Sequence, residues 1–269
     1  MAFSLAFPTD LHRQSAEAAR DFFLKSPIVD TVLVTNSCAR GQALPESDLD
    51  MAILLSPAVP SEDVQALESK WQSVLQTNPF IADFRKSHRF MQIHLDVIGG
   101  MNTPSVWDDG GGPDGFELEI GNLLAYSAAF SEPGNYFKQL QSEWLPYYNA
   151  DLQRQRLDMA RRACVHDLEH VPLYHKRGLH FQAFDRLYKA FQEFLQALFI
   201  SKRVYPLAYN KWIRMQVEER LGLPELYKDL PQVISVGNIE GEEIVQKAES
   251  LNNLLVKWIP GSLLHADRA

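Results

Sequence analysis

Asp48 and Asp50 are the residues of this chain best suited to chemistry. They open the run Asp48-Leu49-Asp50-Met51-Ala52-Ile53-Leu54-Leu55, which reads as a strand. Strand side chains alternate, so both carboxylates project to one face while Leu49 and Met51 project to the other. Two carboxylates side by side repel each other unless a cation lies between them. Mg²⁺ suits two hard oxygen ligands and keeps coordination positions for phosphate oxygens, so the pair reads as half of a phosphoryl- or nucleotidyl-transfer site. Upstream, an apolar strand over 28–35 leads to Asn36, Ser37 and Arg40 in a turn-rich loop. Downstream, a strand over 89–98 sets Gln92, His94 and Asp96 on one face.

The elements that must position these residues alternate between helix and strand in the first half of the chain. The pattern predicts a helix over 9–25, stopped by Pro27, then the two strands around the loop. Pro57 and Pro60 break the chain before Ser61, read as the N-cap of an amphipathic helix carrying Val64, Leu67, Trp71, Val74 and Leu75. Residues 99–115 read as a mobile loop. Its three consecutive glycines do not make a phosphate cradle, because Asp108, Asp109 and Asp114 would repel the ligand. A last strand is expected over 116–120, with Glu117 and Glu119 on one face. Beyond it apolar residues recur at helical spacing, most clearly from Phe181 through Phe184, Leu187, Tyr188, Phe191, Phe194, Leu195 and Leu198 to Phe199. That stripe fits the central helix of a bundle, with Pro146, Pro172, Pro206, Pro224 and Pro231 between helices. The expected fold class is α+β, with a mixed-sheet domain over 1–125 and a helical domain over 126–269.

The composition narrows the function classes. The chain has 269 residues and a net charge of −8, with no broad basic footprint for nucleic acid. Cys38 and Cys164 show no zinc-like spacing, and no apolar run is long enough to span a membrane. A cytoplasmic location is the expectation.

A serine after the first strand, a loop, Asp-x-Asp on the next strand and Asp96 on a later one resemble, in that order, the nucleotidyltransferase superfamily that includes DNA polymerase β. Within it the chain is similar to the small bacterial enzymes that adenylylate aminoglycosides and lincosamides. The resemblance implies a nucleotidyltransferase fold flanked by helices and followed by a helical bundle. It also implies an Mg²⁺-dependent transfer of AMP from ATP to a hydroxyl of a small molecule, with Asp48, Asp50 and Asp96 as metal ligands or catalytic carboxylates. Ser37, Asn36 and Arg40 would hold the phosphates, and Lys189 and Lys211 of the helical domain are the implied further cations. Glu117 and Glu119 are candidates for the acceptor side. Asn36 stands where the family usually has glycine; asparagine best tolerates the left-handed backbone that such a turn requires. Transfer of AMP to a protein, or nucleotide binding without catalysis, are the alternative functions.

Other features read more plainly. His166 and His170 are four apart, as helical metal ligands are, but without an HExxH order or a third ligand they read as surface or interdomain histidines. Cys38 has no base beside it and reads as packing. Neither a P-loop nor a dinucleotide fingerprint occurs.

Overall fold

The computed structural model describes residues 3–87, 91–101 and 103–259. The described chain divides into two compact units. One runs to Thr103 and resumes over Glu119–Pro146; the other comprises Pro104–Leu118 and the chain from Tyr147. The excursion of 104–118 into the second unit is not anticipated by a division at 125/126.

The first unit begins with α1 (Asp10–Phe23), where Thr9 caps the helix by accepting from His12 N–H. Ala16, Ala19 and Phe23 fall on one face of α1 and are fully buried. Then follow β1 (Val29–Val34), a short turn of helix α2 (Asn36–Ala39), β2 (Leu49–Leu55), α3 (Ser61–Thr77), α4 (Pro79–Ser87) and β3 (Ile93–Ile98). Pro60 takes the cap position of α3 and Ser61 is its first helical residue, so Ser61 is not the cap. Pro60 keeps an extended ψ of 143° before that first turn, where Glu62 and Asp63 favour the positive end of the helix. The third strand starts at Ile93, so Met91 and Gln92 precede it rather than belong to it; Arg89 and Phe90, expected to begin it, lie outside the described residues.

The sheet is mixed, in the order β3-β2-β1 with a two-residue strand β4 (Ala128–Ala129) beyond β1, numbered after the helix α5 described below. β1 pairs antiparallel with β2, and β2 pairs parallel with β3. Flanked on both sides, β2 is buried along its length except at half-buried Asp50. Met51, Ile53, Val32 and Val34 meet Phe23, Trp71, Ile81 and Phe84 in one apolar core.

The expected strand over 116–120 is helical: α5 (Phe116–Ile120) continues into a π-helical turn over Gly121–Ala125. Phe-Glu-Leu-Glu-Ile satisfies a strand alternation, yet Phe116 and Ile120, four apart, also suit one helix face, and both are buried. Glu117 and Glu119 therefore do not share a strand face. Glu117 is fully buried and held by an arginine far along the chain, which removes it as an acceptor-binding group. α6 (Asn135–Trp144) completes the first unit.

The second unit contains α7 (Ala150–Lys176), α8 (His180–Lys202), α9 (Ile213–Met215) with a π-helical turn over Gln216–Arg220, α10 (Pro224–Ile234) and α11 (Glu243–Trp258). Leu187, Phe191, Phe194 and Leu198 of α8 pack with Ala160, Cys164 and Leu168 of α7 and with Leu251 and Leu255 of α11. The stripe starts at Phe184, because Phe181 at the first turn of α8 is exposed. Pro172 and Pro231 lie inside α7 and α10 rather than between helices, a correction to their reading as breaks. No helix among the described residues is long and apolar enough to cross a membrane.

A buried ion network fastens 104–118 to α7 and α8 within the second unit. Arg156 Nε and Nη2 donate to Glu117 at 2.8 and 2.6 Å, while Nη1 and Nη2 donate to Asp114 at 2.6 and 2.5 Å. Gln196 Nε2 donates to both carboxylates at 2.8 and 2.9 Å, and Tyr148 hydroxyl donates to Glu117 at 2.9 Å. Burial opposes the charge on Arg156, but the two carboxylates outweigh it and raise its proton affinity.

Removing Arg156 strands two carboxylates in the interior. Arg156→Leu should cost about 3–5 kcal/mol, whereas Arg154→Ala, which breaks an exposed pair with Asp151, should stay within about 0.5 kcal/mol. Urea unfolding checks both.

His12 provides a second check. Its ring is fully buried, with Nε2 3.0 Å from the Ser47 carbonyl and Nδ1 2.7 Å from Thr9 Oγ1. Ser47 O can only accept, so Nε2 carries the proton and Nδ1 accepts from the hydroxyl. Desolvation depresses the His12 pKa, against the contrary pull of the Ser47 bond. The unfolded chain therefore takes up this proton first. The stability contributed by neutral His12 is complete above the ordinary value of 6.5 and is lost as pH falls below it towards the lower folded value. Between pH 7 and 5 the urea midpoint of the parent should fall more steeply than that of His12→Gln; equal slopes would contradict the assignment.

Candidate functional site

The end of β1 and the start of β2 build the site together. Thr35, extended and buried, donates its N–H to Asp50 O at 2.9 Å and so ties the two strands at the point where the chain leaves β1. The next residue, Asn36, has φ of 52°, a left-handed conformation that asparagine tolerates better than most residues. That conformation costs an ordinary residue about 1–2 kcal/mol, less for asparagine. Here the asparagine side chain does something glycine cannot: its amide favours the ionised form of Asp50.

α2 then carries Ser37, Cys38 and Ala39 before the turn at Gly41. Ala6 N–H donates to Cys38 O at 3.0 Å, and Gln42 N–H to Ser37 O at 2.9 Å, so the short helix is held from both sides. Gly41 is required there: its φ is 66°, and a β-carbon would lie 2.9 Å from Ser4 O. Ser37 is half-buried. Arg40 is nearly buried, donating from Nε to Gln42 Oε1 at 3.0 Å, and its charge favours ionised Asp50. Cys38 has its thiol pKa pushed up to about 12 by burial and by the Asp50 and Asp48 charges, so it is a packed thiol and not a nucleophile.

Burial raises the Asp50 pKa; the Asn36 amide lowers it, and the Asp48 charge raises it further. His94 and Arg40 work in the opposite direction. Asp48 Oδ2 lies 3.3 Å from His94 Nε2, a pair of which both members are substantially exposed.

The register of β2 against β3 refines the expected trio. Asp50 is aligned with His94, and Ala52 with Asp96. Aligned residues share a face, so Asp96 is on the Asp50 face but diagonal to it, a spacing of about 7–8 Å between backbones. Asp96 is exposed. The residue beside both acids is His94, which was legible as a face-mate of Asp96 but not as the partner of Asp48, because alternation gives the face and not the inter-strand register.

The donor chemistry of Asp48 and Asp50 fits a hard divalent ion: two carboxylates, one largely withdrawn from water, with the electrostatic strain of a like-charge neighbour. The ligand atoms of Asp48, Asp50 and Asp96 are not drawn within 4.8 Å of one another. Among the described residues the set that meets this spacing is Asp109, His166 and Asp167, in the second unit. His166 thus does have further potential ligands, against its reading as a plain surface histidine. Its expected companion His170 instead turns Nδ1 to the His166 carbonyl at 2.8 Å.

The implied cations of the helical unit are less committed. Lys189, half-buried on α8, pairs with Asp185 at 2.8 Å. Lys211 is exposed, and its carbonyl accepts from Gln216 Nε2 at 2.9 Å. Glu119 is half-buried in α5.

No protein-family model matches this chain, and no curated protein matches it.

Proposed function

We propose that the first unit carries an Mg²⁺-dependent nucleotidyl-transfer centre, using ATP to adenylylate a hydroxyl of a small molecule. The observation that carries this reading is the half-buried Asp50 carboxylate beside Asp48 at the mouth of the central strand, where Asp50 is tied through its backbone to Thr35 just before the left-handed turn at Asn36.

In this reading Asp48 and Asp50 would hold Mg²⁺, which would supply charge neutralisation for the triphosphate and its α-phosphorus. Ser37 grips the β- or γ-phosphate, and Arg40 offsets charge on departing pyrophosphate. Asp96, exposed on the same sheet face, takes the proton of the acceptor hydroxyl as its oxygen attacks the α-phosphorus and the bond to pyrophosphate breaks. Asn36, at positive φ, sets the path of the Ser37 backbone. The chain's acidic balance favours a neutral or cationic acceptor, such as an aminoglycoside, over nucleic acid.

Calorimetry with ATP and Mg²⁺ tests the reading. The parent should bind the nucleotide only with metal present, and Asp50→Asn should weaken that binding by about tenfold or more, 1.4 kcal/mol. Equal affinity in parent and variant, or metal-independent binding, would remove the proposal. Binding without pyrophosphate release across a broad panel of hydroxyl acceptors would assign the unit to nucleotide binding alone.

Asn36 offers a separate check. Asn36→Gly should leave metal-dependent nucleotide binding in place, while Asn36→Ala, with a β-carbon at positive φ and no amide, should lose about 1 kcal/mol of stability. Thermal denaturation and calorimetry on the same two variants read both effects.

A further inference from the structure

The second unit has its own ligand-bearing cluster, built where the loop over 104–118 meets α7. Its members are Asp109 from the loop and His166 and Asp167 from α7; one ligand atom from each lies within 4.8 Å of the others. An acidic cluster alone is ordinary, and Arg186 already lies beside this one, with Nη1 2.5 Å from Asp167 Oδ1 and 3.4 Å from Asp109 Oδ1. The arginine leaves one oxygen unanswered. Asp167 is fully buried, yet its other oxygen, Oδ2, has no hydrogen-bond partner. His166 Nε2 and Asp109 Oδ1 already converge at 2.6 Å. A buried carboxylate oxygen without a donor costs about 1–3 kcal/mol or more, so such a group at a convergence of ligands points to something that binds there.

Nearby, Glu193 of α8 is fully buried with neither carboxyl oxygen hydrogen-bonded; burial and the Asp167 charge push its pKa up to about 9, so it is a neutral acid at neutral pH. Of the cations at hand, Lys189 is already engaged by Asp185. Trp107 packs edge-on against the His166 ring at 5.0 Å between centroids and shields it on the loop side.

We propose that Asp109, His166 and Asp167 form a divalent-metal site, with one imidazole nitrogen and two carboxylates as ligands and Arg186 retaining Asp167 Oδ1. A nitrogen donor with two oxygens suits Zn²⁺ better than Mg²⁺, which prefers an all-oxygen shell. Bonds of about 2.1 Å in a tetrahedral shell set ligand atoms about 3.4 Å apart, so the shell forms from separations of at most 4.8 Å by side-chain adjustments of about an ångström, with the 2.6 Å contact of His166 and Asp109 opening to admit the ion. Asp109 would then be bridged to α7 through the metal, which makes the site a clasp for the 104–118 loop. The inference does not depend on the nucleotidyl-transfer reading, whose residues lie in the first unit.

The test is equilibrium dialysis of the full chain against Zn²⁺ with Mg²⁺ in excess, read by metal analysis, with thermal denaturation in parallel. The parent should hold one Zn²⁺ per chain and melt higher with Zn²⁺ than without it. Asp109→Ala, at an exposed loop position, and His166→Gln should each weaken zinc binding by at least about tenfold and remove the zinc-dependent rise in Tm. Asp50→Ala should change neither. Co²⁺ substitution gives an independent signature: visible d–d bands that His166→Gln alters. No stoichiometric zinc in the parent, or zinc binding indifferent to Asp109→Ala and His166→Gln, would overturn the site. Loss of zinc in Asp50→Ala would overturn it too, by moving the metal to the sheet.

Discussion

A carboxylate at the mouth of a buried central strand is the constraint around which the first unit is arranged. β2 is flanked by β1 and β3 and is apolar and buried from Met51 to Leu55, so its register cannot slip without driving Asp50 into the core. Fixed there, Asp50 needs compensation from its surroundings. The Asn36 amide favours its ionised form, at the cost of a left-handed backbone; Arg40 and His94 act in the same direction, and Asp48 works against them. The Thr35 to Asp50 backbone bond, the glycine turn at 41 and the His12 clamp on Ser47 all hold the two chain segments that converge on this acid. Such an arrangement spends stability on keeping an ionisable group in place, as sites for bound charge do.

Much of this was legible in the chain. β1 and β2 announce themselves by β-branched and aliphatic runs, the aspartate pair by its spacing, and the left-handed turn by an asparagine at a position that needs glycine-like freedom. What local patterns cannot carry is partnership. The alternation of Gln92, His94 and Asp96 gives a common face, yet only the parallel register shows that His94, and not Asp96, stands level with Asp50. Phe116–Ile120 is too short for its period to decide between strand and helix, and the deciding partner, Arg156, lies 39 residues beyond Glu117. His166 looked unaccompanied for the same reason: its carboxylate neighbour Asp109 comes from a loop with no periodic signal.

The second unit treats charge differently. At one end of the α7–α8 seam, Arg156 is matched by Asp114, Glu117, Gln196 and Tyr148, so that the buried ions are hydrogen-bonded throughout. At the other, Asp167 and Glu193 keep unanswered oxygens. A saturated network fastens the loop; an unsaturated one is open to a ligand. The contrast within a single helix pair is what gives the Asp109, His166 and Asp167 cluster its meaning: the network around Arg156 is closed off from water, whereas Asp109 is exposed and leaves the cluster accessible.

The central claim concerns the sheet site, and the most direct measurement is a crystal structure of the full chain soaked with Mg²⁺ and a non-hydrolysable ATP analogue. The account predicts metal density about 2.1 Å from carboxylate oxygens of both Asp48 and Asp50, with the triphosphate running past Ser37. Nucleotide bound elsewhere on the chain, or bound at the strand mouth with neither aspartate ligating metal, would contradict it.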